Sequence, residues 1–194
     1  MNYRWMPELT LRMIFHMVNE LGIQKSQRIL DFGCAKGFIV KAFRIFDFEA
    51  YGVDISEYAI KNADSSVRDY CDLVNGVTDS KIFVRRYDWM ISKDVFEHIS
   101  EKDLMLLLEA AIAHVDTIFA VVPVAADDTI NSYIIPEYNR DVTHIIIKSA
   151  EWWEKLFVSC GWTSVKVVNS FPGCKENWTS RWKNGNAFFI LKST

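Results

Sequence analysis

The sequence predicts an α/β fold with a doubly wound, mostly parallel sheet of seven strands and an antiparallel last strand. Short apolar segments alternate with helical patterns along most of the 194 residues, which is typical of a parallel sheet covered on both faces. The last two strand-like segments have no helix between them, so we expect them to pair antiparallel at one edge. Small and polar residues follow several apolar segments, where such sheets bind ligands.

The bulk composition indicates one globular domain over residues 1–194. Half of the residues are hydrophobic and 14% are aromatic, which excludes a disordered chain. The net charge of −3 argues against a nucleic-acid substrate. Four cysteines are scattered without a CxxC pair, which predicts a reduced, cytoplasmic protein. The composition does not predict the oligomeric state.

Residues 1–24 read as an N-terminal amphipathic helix. Leu9, Met13, Met17 and Leu21 recur at intervals of four, and charged residues interrupt the apolar run. This pattern fits neither a membrane span nor a signal peptide, so we expect no membrane association.

The first half of the chain then supplies two strand–helix pairs and a weaker strand. In order, these are a strand at Arg28–Phe32, a helix at Phe38–Phe46, a strand at Ala50–Asp54, a helix at Glu57–Ala63 and a strand around Cys71–Asn75.

The second half continues this alternation and then departs from it. A helix follows Ser100, which has capping-box spacing to Asp103, and another follows Ser149 and ends near Gly161. The strands are expected at Trp89–Ser92, Thr117–Val122, Val165–Val168 and Ala187–Leu191. The segment 123–148 is too long for a plain connection and lies where a substrate cap belongs.

The turn after the first strand suits a ligand with an ammonium group. Gly33 and Gly37 permit close backbone approach, and the helix that follows offers free N–H groups. Asp54 comes 23 residues after Asp31, near the spacing at which an acidic residue holds ribose hydroxyls. The glycine spacing departs from GxGxxG, and Asp31 would repel a pyrophosphate, which disfavours a nicotinamide oxidoreductase. S-adenosylmethionine (SAM) carries the ribose, ammonium and carboxylate that fit better.

Four segments in order resemble the motifs of Rossmann-like (class I) SAM-dependent methyltransferases. "ILDFGCAKG" resembles the motif usually written LDxGCGxG, and "AYGVDIS" resembles the second motif. "YDWMISKDVFEHI" is similar to FDxVxxxxVxEHI, and "FAVVPV" is similar to the fifth strand. The resemblance covers about residues 25–192 and extends to bacterial methyltransferases that act on small molecules and sugars.

This resemblance implies roles for ten cofactor-binding residues. Asp31 would face the methionine ammonium, Asp54 would hold the ribose hydroxyls, and Ile55 would pack on the adenine. Backbone near the methionine would come from Gly33, Cys34, Ala35 and Gly37, the methionyl end would meet Ser92 and Lys93, and Val77 (or Asp79) would contact the adenine amine.

The acceptor side of the predicted site depends on two histidines. His98 belongs to the "DVFEHI" motif, where it is either catalytic or a brace for the pocket. His144 lies in the segment 123–148, and we expect it to line the acceptor pocket as a general base, with Asp141 available to orient it. We therefore expect methyl transfer from SAM to a small-molecule or carbohydrate acceptor at oxygen, with no resident metal.

Two alternatives remain open at this point. The chain could bind SAM without catalysing a reaction. Asp94, Glu97, His98 and His144 also resemble the ExxEH-plus-His metal ligands of methyltransferases that act on RNA 3′ ends, with Asp94 in place of the first Glu. The acidic pI of about 5.8 argues against RNA as the substrate.

Overall fold

The computed structural model of the protein describes residues 4–193, so residues 1–3 and 194 of the predicted domain lie outside it. Its strands are β1 (Arg28–Phe32), β2 (Glu49–Asp54), β3 (Cys71–Leu73), β4 (Tyr87–Lys93), β5 (Val115–Pro123), β6 (Trp162–Val168) and β7 (Asn186–Ser193). Its α-helices are α1 (Pro7–Leu21), α2 (Phe38–Ile45), α3 (Glu57–Lys61), α4 (Glu101–Ala111), α5 (Ala150–Ser159) and α6 (Glu176–Arg181).

The seven strands form one sheet in the order β3-β2-β1-β4-β5-β7-β6. The first five strands pair in parallel, whereas β7 is antiparallel to both β5 and β6. This confirms the predicted fold class. The chain order reverses between β1 and β4, and a crevice at the carboxyl ends of these strands is where open α/β sheets bind ligands.

Two hydrophobic layers cover the faces of the sheet. Helices α1 and α2 bury Met17, Val40 and Phe43 against one face. Helices α4 and α5 bury Leu107 and Trp153 against the other. The central strand β5 is apolar almost throughout because helices cover both of its faces, as the continuous run in its sequence predicts.

The predicted helix boundaries are held by local hydrogen bonds. Ser100 Oγ accepts from the backbone N–H of Asp103 (3.2 Å), and Ser149 Oγ accepts from that of Trp152 (3.1 Å). Gly161 has the left-handed backbone (φ 86°) that ends α5. Both N-caps satisfy backbone donors that a helix leaves without a partner.

The structure departs from the sequence expectations mainly in the connections. Helix α3 ends at Lys61 rather than Ala63, and β4 extends beyond both ends of Trp89–Ser92. The segment between β6 and β7 contains α6, where we expected only a loop. The predicted cap, residues 123–148, contains a 3-10 turn at Pro136–Arg140.

Within residues 4–193, every helix is too short or too polar to cross a bilayer.

Candidate functional site

A cavity of about 910 Å³ opens at the carboxyl ends of β1, β2 and β4. Half of the predicted cofactor residues form part of its wall, namely Gly33, Ala35, Asp54, Ile55 and Val77. The cavity also reaches His98 and Thr143, so one space connects the motif loop after β1 with the predicted cap.

Gly33 brings the chain close to its neighbours at the base of this cavity. Its φ is 81°, and a Cβ atom there would lie 2.4 Å from Val95 Cγ2. Its N–H donates to the carbonyl of Val53 (2.9 Å), which ties the loop to β2. Both the backbone conformation and the missing side chain are therefore needed at this position.

Asp54 fixes the motif loop while it faces the cavity. One carboxylate oxygen accepts from the N–H of Ala35 (2.7 Å), and the other accepts from that of Ser56 (2.7 Å). Ala35 adopts a left-handed backbone (φ 48°) in this arrangement. The side chain of Ile55 beside it is largely exposed, at 73% of its surface.

Cys34 and Gly37 belong to the packing below the loop rather than to the cavity wall. Cys34 is buried against Gly52 of β2, and a Cβ atom on Gly37 would approach Cys71 Sγ to 2.8 Å. These two residues shape the loop from the core side.

Asp31 and Ser92 are buried polar residues, each one position before the last residue of its strand, on the neighbouring strands β1 and β4. Asp31 Oδ2 and Ser92 Oγ have no hydrogen-bond partner within residues 4–193. Burial, and then the charge of Asp54, raise the pKa of Asp31 to about 8, although Lys93 opposes this. A cation placed at this point would relieve the burial cost of the Asp31 carboxylate.

A partly buried ion-pair network lies directly after β4. Asp94, which has a left-handed backbone (φ 58°), pairs with Lys93 (2.6 Å) and with Lys175. Lys175 also donates to Tyr138 Oη (2.7 Å) and to Asn186 Oδ1 (3.0 Å). Burial alone would raise the pKa of Asp94, but Lys175 and Lys93 hold it well below its usual range.

Sequence reasoning missed Lys175 because it lies 81 positions from Asp94 along the chain. Lys175 precedes α6, in the connection that we expected to be a loop, and its backbone is left-handed (φ 54°). The sequence signal available was a lysine between cysteine and glutamate before two tryptophans, which does not identify a buried cation.

The two candidate catalytic histidines lie side by side, but only His98 lines the cavity, whereas we expected His144 to line it as well. The ring centroids of His98 and His144 are 4.6 Å apart. His144 Nδ1 is 3.0 Å from the carbonyl of Tyr138, whereas its Nε2 is 3.8 Å from Asp141, beyond hydrogen-bond range. Tyr138 rather than Asp141 therefore orients His144, and Asp141 instead accepts from Thr143 (2.6 Å).

The side chain next to His98 is a buried carboxylate. Glu97 is completely buried, and neither of its carboxylate oxygens has a hydrogen-bond partner in the described residues. Burial, followed by the charge of Asp94, raises the pKa of Glu97 to about 8. One oxygen of Glu97 and one nitrogen each of His98 and His144 lie within 4.8 Å of one another.

An aromatic stack extends the site away from the histidines. The ring of Trp178 stacks on Tyr138 (5.7 Å) and on Trp182 (5.4 Å). Since Tyr138 also holds His144, the stack connects α6 to the acceptor side of the site. His16 and His114 lie outside the cavity wall.

These residues fit the cofactor that the sequence indicates. Asp31 Oδ2, which has no hydrogen-bond partner within residues 4–193, suits an ammonium, Gly33 leaves room for close approach to the backbone, and Asp54 faces the cavity at the end of β2. The dinucleotide alternative fits less well, because Asp31 would lie beside a pyrophosphate.

Solved structures share this fold at low sequence identity. A SAM-dependent methyltransferase from Archaeoglobus fulgidus matches with a TM-score of 0.72 and 17% identity, over 97% of this chain and 95% of that one. Magnesium protoporphyrin IX methyltransferase from Synechocystis PCC 6803, with SAH (S-adenosylhomocysteine) bound, matches with a TM-score of 0.66 and 11% identity, over 95% of this chain and 82% of that one. A putative O-methyltransferase from Nostoc punctiforme PCC 73102 matches with a TM-score of 0.69 and 12% identity, over 94% of this chain and 55% of that one.

The sequence itself matches a known family. No curated protein sequence matches the chain significantly. A family model described as a methyltransferase domain, however, matches residues 5–167, which include the motif loop, Asp54, the "EHI" segment and the whole predicted cap. The chain therefore belongs to this methyltransferase-domain family, as a SAM-dependent methyltransferase with a Rossmann-like fold.

Proposed function

We propose that the protein transfers the methyl group of SAM to an oxygen atom of a small-molecule or carbohydrate acceptor. The observation that carries this proposal is the pair His98 and His144. His98 lines the same cavity as Asp54 and the motif loop, and the ring centroid of His144 lies 4.6 Å from that of His98. A hydroxyl acceptor needs a group that takes its proton, and imidazole is suited to this near neutral pH.

The cofactor end of the proposed site orients SAM, which supplies the activated methyl group when bound. Asp31 would face its ammonium and Asp54 its ribose hydroxyls. Ile55 and Val77 would flank the adenine, since both line the cavity. Gly33 and Ala35 would pass their backbone near the methionine, and Ser92 and Lys93 would meet its carboxyl end. The protein mainly positions the reactants and excludes water in such a transfer.

The acceptor end removes the proton of the acceptor hydroxyl. Burial, and then the neighbouring His98, lower the pKa of His144, so its imidazole is neutral at pH 7. The carbonyl of Tyr138 accepts only, so Nδ1 of His144 holds its proton and Nε2 keeps a lone pair. His144 is therefore poised as a base, with His98 beside it.

The substrate class rests on the aromatic surface next to this base. Tyr138, Trp178 and Trp182 offer stacked rings on which a sugar or aromatic ring can pack. A putative O-methyltransferase stands among the proteins that share the fold, which agrees with transfer to oxygen. The four free, buried cysteines support action in the cytoplasm, as part of the same proposal.

The test is SAH production over a panel of sugars, alcohols and phenols. We expect at least one acceptor to raise SAH formation above the rate without acceptor, and His144→Ala to lower kcat by about 100-fold or more. His16→Ala, on α1, is the matched control and should retain full activity. Unchanged kcat in His144→Ala would refute the base. SAH binding without turnover of any acceptor would favour the non-catalytic alternative.

A further inference from the structure

Three side chains with metal-binding atoms meet at the acceptor end of the site. One oxygen of Glu97 and one nitrogen each of His98 and His144 lie within 4.8 Å of one another. Ligand atoms that bind one cation at about 2.0–2.2 Å lie about 3–4 Å from one another. Shifts of less than about 1 Å would therefore bring these three atoms within binding distance of a single cation. The backbone holds it together, because the carbonyl of Glu97 accepts from the N–H groups of Ile145 (2.9 Å) and Ile146 (3.1 Å).

The described part of the chain offers Glu97 no hydrogen-bond partner that would explain its burial. Its side chain is completely enclosed, and both carboxylate oxygens are without hydrogen bonds among residues 4–193. The nearby cation Lys175 is occupied by Asp94, Tyr138 and Asn186. A buried carboxylate without a partner is costly, and such groups are usually paired or bound to a cation.

The hydrogen bonds of both histidines leave a lone pair on Nε2. His144 Nδ1 donates to the carbonyl of Tyr138 (3.0 Å). His98 Nδ1 is 2.9 Å from Thr143 Oγ1, whose own proton goes to Asp141 (2.6 Å), so the imidazole must be the donor. Histidines that bind metals characteristically donate their other N–H to a carbonyl or a hydrogen-bonded oxygen in this way.

We propose that Glu97, His98 and His144 bind one divalent transition-metal cation, of the zinc or manganese type, beside the cavity. Two imidazoles and one carboxylate suit such cations better than magnesium or calcium, which prefer oxygen ligands. Three protein ligands leave positions open, as in catalytic metal sites. Asp94 is not a ligand here, because Lys93 and Lys175 already engage its carboxylate.

This inference rests on the proposed methyl transfer from SAM to an oxygen atom, and it revises one step of that proposal, the removal of the acceptor proton by His144. His98 lines the cavity, so the open side of the cation would face the acceptor. The acceptor hydroxyl would lose its proton to solvent at this point. Its oxygen would then form the new C–O bond as the C–S bond of SAM breaks, leaving SAH. The histidines would act as ligands rather than as the base, and the expectation of no resident metal would be wrong.

The test is calorimetric titration of the full chain, stripped with EDTA, with Zn²⁺, Mn²⁺ and Co²⁺. We expect one site per chain for at least one cation, and about 10- to 100-fold weaker binding in Glu97→Gln, His98→Ala and His144→Ala. Cobalt bound there should give a visible absorption band that the three variants lose. His16→Ala is the control and should bind the cation like the wild type.

SAH titration of the same samples separates this inference from the proposed function. The three variants should still bind SAH, because its expected contacts at Asp31 and Asp54 are unchanged, and this also shows that they are folded. No cation binding in the wild type, or equal binding in His98→Ala and His144→Ala, would overturn the cation site alone. Loss of SAH binding in the wild type would overturn the proposed function.

Discussion

At the scale of single residues, the site is marked by polar groups that the fold buries without partners. Asp31, Ser92 and Glu97 each carry a buried oxygen with no hydrogen bond in the described part of the chain. The sequence could predict Asp31 and Ser92 as site residues because both lie in segments that resemble motifs of the family. It could not show that Glu97 is fully enclosed, since its burial depends on the cap segment that packs against it.

Asp31→Asn should stabilise the ligand-free protein and weaken binding of SAH. The pKa of Asp31 is raised to about 8 in the folded state. The stability that comes from its neutral form is therefore complete below about pH 4 and is lost as the pH rises toward 8. Asparagine does not ionise, so the variant does not lose this stability as the pH rises. We therefore expect its Tm at pH 7.5 to be several degrees above that of the wild type.

The same variant should lose affinity for SAH by about tenfold or more, because a neutral amide attracts the ammonium less strongly. Wild-type affinity should rise from pH 6 to 7.5 as Asp31 ionises, and the variant should lack this dependence. Calorimetric titrations at several pH values measure both effects. Equal affinity of the two proteins at pH 7.5 would show that Asp31 does not face the ammonium.

At the scale of elements, the regular strands and helices follow from local patterns, whereas the connections do not. Ser100 and Ser149 begin α4 and α5 as their spacing predicts, because an N-cap needs only residues three positions away. Helix α6 was not predicted, since its six residues carry no periodic apolar face and its Trp178 packs on Tyr138 of a distant segment. Contacts between connections decide the shape of the acceptor side.

The Asp94–Lys175 pair should hold three of these connections together. We expect Lys175→Met to lower the free energy of unfolding by on the order of 2–3 kcal/mol, because it leaves Asp94 without its buried partner. This is below the cost in a fully buried pair, since the Asp94 side chain keeps 32% of its surface exposed. Denaturant unfolding measures the change.

Two further variants give this prediction its controls. Lys155→Ala removes an exposed pair with Glu151 and should leave the stability unchanged. Adding Asp94→Asn to Lys175→Met should cost less than the sum of the two single changes, because each single change already breaks the Asp94–Lys175 pair. Strict additivity of the two changes would mean that the pair is not a coupled unit.

At the scale of the whole molecule, the sheet order places the site. The reversal between β1 and β4 brings Asp31 and Ser92 onto neighbouring strands, and β2 adds Asp54 beside them. The order of strands and helices in the sequence predicts this much, because parallel strands need crossover helices. The sequence cannot predict the conformation of the cap, because the 3-10 turn at Pro136–Arg140 is held by contacts with residues up to 48 positions away.

The most direct measurement of the central claim is a calorimetric titration of the wild-type protein with SAH and, separately, with NAD. We expect SAH to bind once per chain with a Kd in the range of about 1–100 μM, and NAD to give no binding heat. This result would agree with Asp31, Asp54 and the motif loop forming a SAM site. Absence of SAH binding up to ~1 mM, or tighter binding of NAD than of SAH, would contradict it.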